Sequence, residues 1–300
     1  MRVVIIGAGG RLGAALLREY REQFEVVGFN HAQLDLGTPE QFAMTLDPIE
    51  FHALINAAAL TDVDYCEDHR AEALQLNAEA PRVLAEICRA KNARFVQVST
   101  DYVFDGEKRA PYTEDDPADP ISVYGESKRE GELRALAVNP QALVVRVSWV
   151  FGPDRPSFVD AILKKARNEE RVAAVADKFS TPTYTRDIAE MLRPVVAEVA
   201  DPGRGVASYS GILHFASRGA CSWQEYAQWA LDCCHEFGVP MKARKVGALS
   251  LSEMKNFVAR RPVHTVLATD KYERLTGKPP RDWHDAVAEY VREHYRENQC

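Results

Sequence analysis

The chain has 300 residues, 46% of them hydrophobic and 27% charged, with a formal net charge of -7. That balance describes a folded globular chain, long enough for one large domain or two lobes around a cleft, and it excludes disorder. An acidic chain has no general attraction for phosphate backbones, so nucleic acid is not an expected partner, whereas a small anion held by local cations fits.

The first apolar run, Val3 to Ile6, is about half the length of a secretory h-region, so no signal peptide is expected. No stretch approaches the ~20 apolar residues of a membrane span, and the expected location is cytoplasmic. Val3 to Ile6 reads as a first strand, followed by a helix over Leu12 to Tyr20 and a strand over Val26 to Phe29. A strand over Ala53 to Ala58, a helix over Ala71 to Ala90, and strands over Phe95 to Val98 and Val144 to Val147 continue the pattern. Alternating strands and helices predict βαβ units, and apolar runs without polar alternation predict strands covered on both faces. The fold class is therefore α/β, a Rossmann-like doubly wound parallel sheet. Beyond Gly152, helices over Phe158 to Arg167, Arg186 to Glu198, Trp223 to Phe237 and Trp283 to Tyr295 alternate with loops such as Asp201-Pro202-Gly203. The expected organisation is a Rossmann domain over 1–152, to which later segments return, and a smaller C-terminal lobe over 153–300.

The six cysteines (Cys66, Cys88, Cys221, Cys233, Cys234, Cys300) include no CxxC pair or zinc spacing, which predicts reduced thiols. Cys233-Cys234-His235 is not read as a metal site, because adjacent helix residues point about 100° apart.

Gly7-Ala8-Gly9-Gly10-Arg11-Leu12-Gly13 lies between the first strand and the first helix. Gly7 permits the tight turn, Gly10 lets backbone N–H groups approach a pyrophosphate, and Gly13 permits close helix-strand packing. In that context the motif predicts dinucleotide binding rather than a plain turn. An NAD site places Asp or Glu about 20 residues further on, at the end of the second strand. Here that stretch reads Val27-Gly28-Phe29-Asn30-His31, without a carboxylate. Arg11 and His31 are the cations available to a 2′-phosphate, so NADPH is the expected cofactor, with NADH the alternative.

Tyr124-Gly125-Glu126-Ser127-Lys128 opens a predicted helix running to about Ala137. Residues i and i+4 share a helix face about 6 Å apart, so a phenol and an ammonium can act together, the cation lowering the phenol pKa. The strand over Phe95 to Val98 delivers Ser99-Thr100-Asp101 at its carboxyl end, where ligands of open α/β sheets bind. A lone YxxxK pair reads most simply as a solvated helix. A glycine turn, a strand-end hydroxyl and YxxxK in this order, with roughly 110 residues between Gly13 and Tyr124, form the pattern of short-chain dehydrogenases.

Within that group the chain resembles the dTDP-4-dehydrorhamnose reductase family over nearly its whole length. The resemblance rests on Ser99-Thr100-Asp101-Tyr102-Val103-Phe104-Asp105-Gly106, Pro111-Tyr112 and Val123-Tyr124-Gly125-Glu126-Ser127-Lys128. Asn56-Ala57-Ala58-Ala59, Ser148-Trp149-Val150-Phe151-Gly152, Pro182-Thr183, Gly211-Ile212-Leu213-His214, Ser222-Trp223, Arg261-Pro262 and Trp283 follow in the family's order. It implies hydride transfer from NADPH to C4 of a dTDP-4-keto-6-deoxysugar, giving dTDP-L-rhamnose. Tyr124 would donate the proton, Lys128 would hold the nicotinamide ribose, and Thr100 would bind the carbonyl oxygen. Asp101, Tyr102 and Trp149 would meet the sugar. Gly7, Gly10, Arg11, Leu12, Gly13 and Asn30 would hold the cofactor, Ala57, Ala58 and Ala59 would line its cleft, and Asp35-Leu36 would lie by the adenine. Residues 1–152 would then be the NADP-binding domain and 153–300 mainly the substrate-binding lobe.

Two departures stand out. Some members bind magnesium at a dimer interface through a glutamate after the third glycine, whereas Ala14-Ala15 stands here. A homodimer is compatible with the resemblance, but no metal is expected. The family's Asp-Gln-x-Gly-x-Pro-Thr appears as Asp177-Lys178-Phe179-Ser180-Thr181-Pro182-Thr183. Trp223 and Trp283 open predicted helices and read as packing anchors, and Arg146, inside a strand, reads as a paired structural ion. Two other functions fit the same scaffold: a non-catalytic NADPH-binding regulatory subunit, like the beta subunit of methionine adenosyltransferase, and a ketoreductase or epimerase of another nucleotide sugar.

Overall fold

The computed structural model describes residues 1–198 and 209–296; Asp201-Pro202-Gly203 and Cys300 lie outside the described residues. Strands β1 (Arg2–Ile6), β2 (Glu25–Phe29), β3 (Ala53–Asn56), β4 (Arg94–Thr100) and β5 (Leu143–Val147) all pair in parallel. A sixth strand, β6 (Gly211–Phe215), pairs with β5 and completes the order β6-β5-β4-β3-β1-β2. β6 was not anticipated as a strand; its five residues follow no long apolar run.

Helices cover both faces, as continuous apolar strands require. On one face Val3, Ile5, Ile55 and Val145 pack with Leu16 and Tyr20 of α1 (Arg11–Tyr20). On the other, Val4, Ile6, Leu54 and Phe95 pack with Leu84 and Cys88 of α2 (Ala80–Ala90) and Ala135 of α3 (Val123–Val138). The helix expected over Ala71 to Ala90 contains a π-helical turn at Gln75–Glu79. A further core gathers Leu163 of α4 (Phe158–Asn168), Tyr226 and Leu231 of α6 (Trp223–Glu236) and Val287 of α7 (Trp283–Val291) around Phe151 and Tyr184. Between α4 and α6 in the chain, α5 (Thr185–Glu198) packs its Ile188 and Leu192 against the first sheet face.

Trp283 is 3% exposed and stacks edge-on to Tyr226, the packing role read from the sequence. Cys233 and Cys234 are likewise buried in this core. The strand order reverses beside β1, whose neighbours are β3 and β2. A crevice opens at the carboxyl ends of strands at such a switch point.

Candidate active site

The glycine turn is tied to the end of β2 by the Gly7 and Ala8 N–H groups, which both donate to the Phe29 carbonyl at 2.9 Å. Gly7 has φ of +84°, and a Cβ there would sit 2.7 Å from the Ala58 nitrogen, so only glycine fits. At Gly13 a Cβ would lie 2.1 Å from the Gly7 carbonyl oxygen, which explains how α1 closes against the turn. No side chain caps α1 at Gly10. Its first N–H groups and helix dipole therefore face the crevice, an arrangement suited to a pyrophosphate. The bare cradle and uncapped helix fit a dinucleotide.

Gly7, Gly10, Arg11, Leu12, Asn30, Asp35, Leu36, Ala57, Ala58 and Ala59 line a single cavity of about 1300 Å³ together with Thr100, Asp101, Tyr102, Tyr124, Lys128 and Trp149. Every expected site residue thus faces one cleft, except Gly13, which lies beneath the turn. A separate cavity of about 840 Å³, bordered by Asp187, Arg193 and Arg281, contains none of them.

Ser122 caps α3, its hydroxyl accepting from the Gly125 N–H at 3.2 Å, and this fixes Tyr124 in the first turn. Tyr124 is 8% exposed and meets Tyr102 edge-on, with ring centroids 5.6 Å apart. Burial pushes its phenol pKa up, opposed by a hydrogen bond with Thr100 and reinforced by the Asp101 carboxylate. The expected lowering by Lys128 does not appear. The Lys128 ammonium instead donates to the Val98 carbonyl at 2.7 Å, and burial lowers its own pKa to about 8 against the pull of Glu132.

Asp101 differs from its expected sugar contact. Its Oδ1 accepts from Thr100 at 3.1 Å, and its Oδ2 accepts from Ser148 at 3.0 Å, Ser180 at 2.8 Å and Thr265 at 2.6 Å. Both oxygens are engaged by hydroxyls and the residue is 2% exposed, so Asp101 borders the cleft with its carboxylate held in this knot, where it orients Thr100. Lys178 stands fully buried beside this knot, donating to the Pro262 carbonyl at 2.5 Å with its ammonium 5.0 Å from the Tyr102 ring centroid. The lysine and serine that depart from the family pattern therefore support the wall that carries Tyr102 and Thr100.

Trp149 has φ of +37°, an uncommon value for a bulky residue. Its ring lies 5.9 Å from that of Trp223, and its buried indole N–H has no partner. Trp149 thus combines an uncommon backbone conformation with a buried polar group that has no partner, at the border of the cleft.

Arg11 is turned toward the backbone of the segment after β5. Its Nε donates to the Arg155 carbonyl at 3.1 Å, Nη1 to Val150 at 3.1 Å and Nη2 to Pro156 at 2.5 Å. Three converging carbonyls of the segment after β5 take three of its five N–H donors, which pins that segment to α1. His31 is largely exposed, with Nε2 3.3 Å from an Asp35 carboxylate oxygen. Asp35 also accepts from the Gly37 N–H at 2.9 Å.

Sequence reasoning missed Asn77. Its side chain brackets Leu60, accepting from the N–H at 2.8 Å and donating to the carbonyl at 3.0 Å, and also donates to Ser127 at 3.0 Å. It therefore joins the cleft wall at Leu60 to α3 beside Tyr124. An asparagine among Leu76, Ala78 and Ala80 in a helix was the available signal.

A family model described as RmlD substrate binding domain matches residues 1–296. The dTDP-4-dehydrorhamnose reductase of Aggregatibacter actinomycetemcomitans is 33% identical over 288 residues, covering 95% of this chain and 97% of that protein. A Streptomyces antibioticus protein named as a dTDP-4,6-dihydroxy-2-methyloxan-3-one 4-ketoreductase is 35% identical over 291 residues, covering 96% of this chain and 94% of the relative. The crystal structure of Bacillus anthracis dTDP-4-dehydrorhamnose reductase in complex with NADP superposes with a TM-score of 0.88 at 30% identity, over 97% of this chain and 99% of that one. With that match spanning cradle, hydroxyl wall and YxxxK helix alike, the chain belongs to the dTDP-4-dehydrorhamnose reductase family.

Proposed function

We propose that this protein is an NADPH-dependent reductase of the 4-keto group of a nucleotide-activated deoxysugar, with dTDP-4-dehydro-L-rhamnose as substrate and dTDP-L-rhamnose as product. The observation that carries the reading is that Thr100, Tyr124 and Lys128 share one cleft with the glycine cradle. NADPH, when bound, supplies the hydride that becomes the new C4–H bond. Tyr124 donates its phenolic proton to the carbonyl oxygen, and Thr100 hydrogen-bonds that oxygen. Lys128 holds the nicotinamide ribose, and Tyr124, left as the phenolate, takes its proton back from solvent. Trp149 and Tyr102 border the sugar, and residues after 152 supply most of the substrate lobe. The Streptomyces antibioticus relative, named for another dTDP-4-ketosugar, motivates the second reading: the same reaction on a different deoxysugar.

NADPH oxidation measured against a panel of nucleotide 4-ketosugars, with product configuration read by NMR, tests both. Turnover is expected with dTDP-4-dehydro-L-rhamnose. Absence of turnover on every ketosugar, despite NADPH binding, would overturn the proposal.

A pH profile follows from Lys128. Because burial lowers its pKa to about 8, kcat/KM for NADPH is expected to fall above about pH 8 as the ammonium loses its charge. Lys178 is also lowered to about 8 by burial, so Lys178→Met is the control and is expected to keep the alkaline limb. A profile flat to about pH 9.5 would remove Lys128 from the cofactor contact.

A further inference from the structure

We propose that Arg155 is the cation that receives the 2′-phosphate of NADPH, so that cofactor preference is set by the segment following β5 and not by the glycine turn. The inference rests on the NADPH reading above and concerns only this chain's own side chains.

β2 ends without a carboxylate at Phe29-Asn30, and in this fold that strand end lies beside the adenosine ribose. Of the two cations that the sequence offers there, Arg11 gives three of its five N–H donors to carbonyls, and His31, largely exposed, lies beside Asp35. Arg155 arrives from elsewhere. Its Nε donates to the Gly9 carbonyl at 2.9 Å, which lays the side chain across the glycine turn. A Cβ placed on Gly9 would lie 4.0 Å from Arg155 Nη2 and 3.6 Å from the Asn30 Cβ. The free end of the guanidinium therefore stands over the turn, close to the end of β2, and Arg155 lines the same cleft as Asn30 and Gly10.

No ion pair among the described residues engages Arg155, whereas the neighbouring Arg18 is paired with Asp154 at 2.6 Å. Asp35, the carboxylate that follows β2, already accepts from Gly37 and faces His31, which reduces its opposition to an incoming phosphate. A guanidinium anchored through Nε keeps its two terminal nitrogens for a phosphate, a geometry that gives short, charge-assisted bonds. Arg11 acts one step back, because it holds the backbone of Val150, Arg155 and Pro156 and so positions Arg155.

The test is equilibrium binding of NADPH and NADH, followed by cofactor fluorescence in the absence of any sugar. Wild type is expected to prefer NADPH. Arg155→Ala and Arg155→Gln are expected to weaken NADPH by about tenfold to a hundredfold, the range of one charged hydrogen bond, and to move NADH by less than about twofold. Arg11→Ala is expected to weaken NADPH through the displaced segment. Equal weakening of both cofactors by Arg155→Ala would place the residue on the pyrophosphate and overturn the assignment. So would unchanged NADPH binding, or a wild type with no preference. Because no turnover is measured, a protein that passes this test but reduces no ketosugar would sink the proposed reaction and leave Arg155 assigned.

Discussion

Tyr124→Phe is expected to lower kcat by about 10² to 10⁴, the usual contribution of general acid catalysis, while NADPH affinity changes by less than about twofold. The ring stays in its packing against Tyr102 and the cluster of Cys66 and Ala73, so the fold has no reason to change. Only the hydroxyl is lost, and the cradle that binds phosphates lies elsewhere along the cleft. Burial holds the phenol pKa above its ordinary value, so the group is protonated at neutral pH, the form a reductase needs when it gives a proton to a nascent alkoxide. Thr100 opposes that shift and so stands beside the phenol, a second hydroxyl near the point where the carbonyl oxygen would lie. Lys128→Ala is expected to differ by weakening NADPH as well as slowing turnover. Steady-state kinetics with fluorescence titration separates the two. If Tyr124→Phe keeps more than about a tenth of the wild-type kcat, another group donates the proton.

The glycine turn, the strand-end Thr100 and the Tyr124–Lys128 pair were legible because each depends on local geometry. A turn needing φ of +84° at Gly7 accepts little but glycine, and i,i+4 spacing fixes two side chains on one helix face. Strands β1, β3, β4 and β5 were legible for a related reason, since strands buried on both faces show as apolar runs, and β2, half-buried at the sheet edge, still shows as Val26-Val27.

What could not be read depends on where distant segments meet. Arg11 looked free for a phosphate, yet its partners lie 139 to 145 residues away. Arg155 carried no signal, because nothing local ties it to Gly9. The four hydroxyls on Asp101 come from positions as separate as Thr100 and Thr265, so an apparent substrate contact became a support. The phenol pKa was misjudged in direction because helix spacing predicts proximity to Lys128 but not burial, which dominates here. β6 is the comparable case for the fold, a short strand whose place is set by the exposed edge of β5.

Arg146 was anticipated as a structural ion, and its pairing yields the largest expected effect on stability. Its guanidinium donates to Glu132 through Nε at 2.8 Å and Nη2 at 2.7 Å, with side-chain exposures of 1% and 0%. Ser99 and Arg129 also donate to the same carboxylate, at 2.7 Å and 2.8 Å. Burial raises the Glu132 pKa, but Arg146, Ser99 and Arg129 outweigh it, so the net shift is downward and the carboxylate stays charged. Glu132→Ala would leave the Arg146 charge in the core with only the Phe104 ring, 5.0 Å from its carbon, as compensation. Breaking one side of such a pair costs about 3 to 5 kcal/mol, so the variant is expected to lose that much in urea unfolding. Replacing both partners by apolar residues, Glu132→Leu with Arg146→Met, is expected to cost less than the single change, because no charge is stranded. The single variant also removes the carboxylate that raises the Lys128 pKa, which moves the alkaline limb of activity below about pH 8. A loss under about 1 kcal/mol in Glu132→Ala, or a double variant less stable than the single, would show that water or another carboxylate neutralises Arg146.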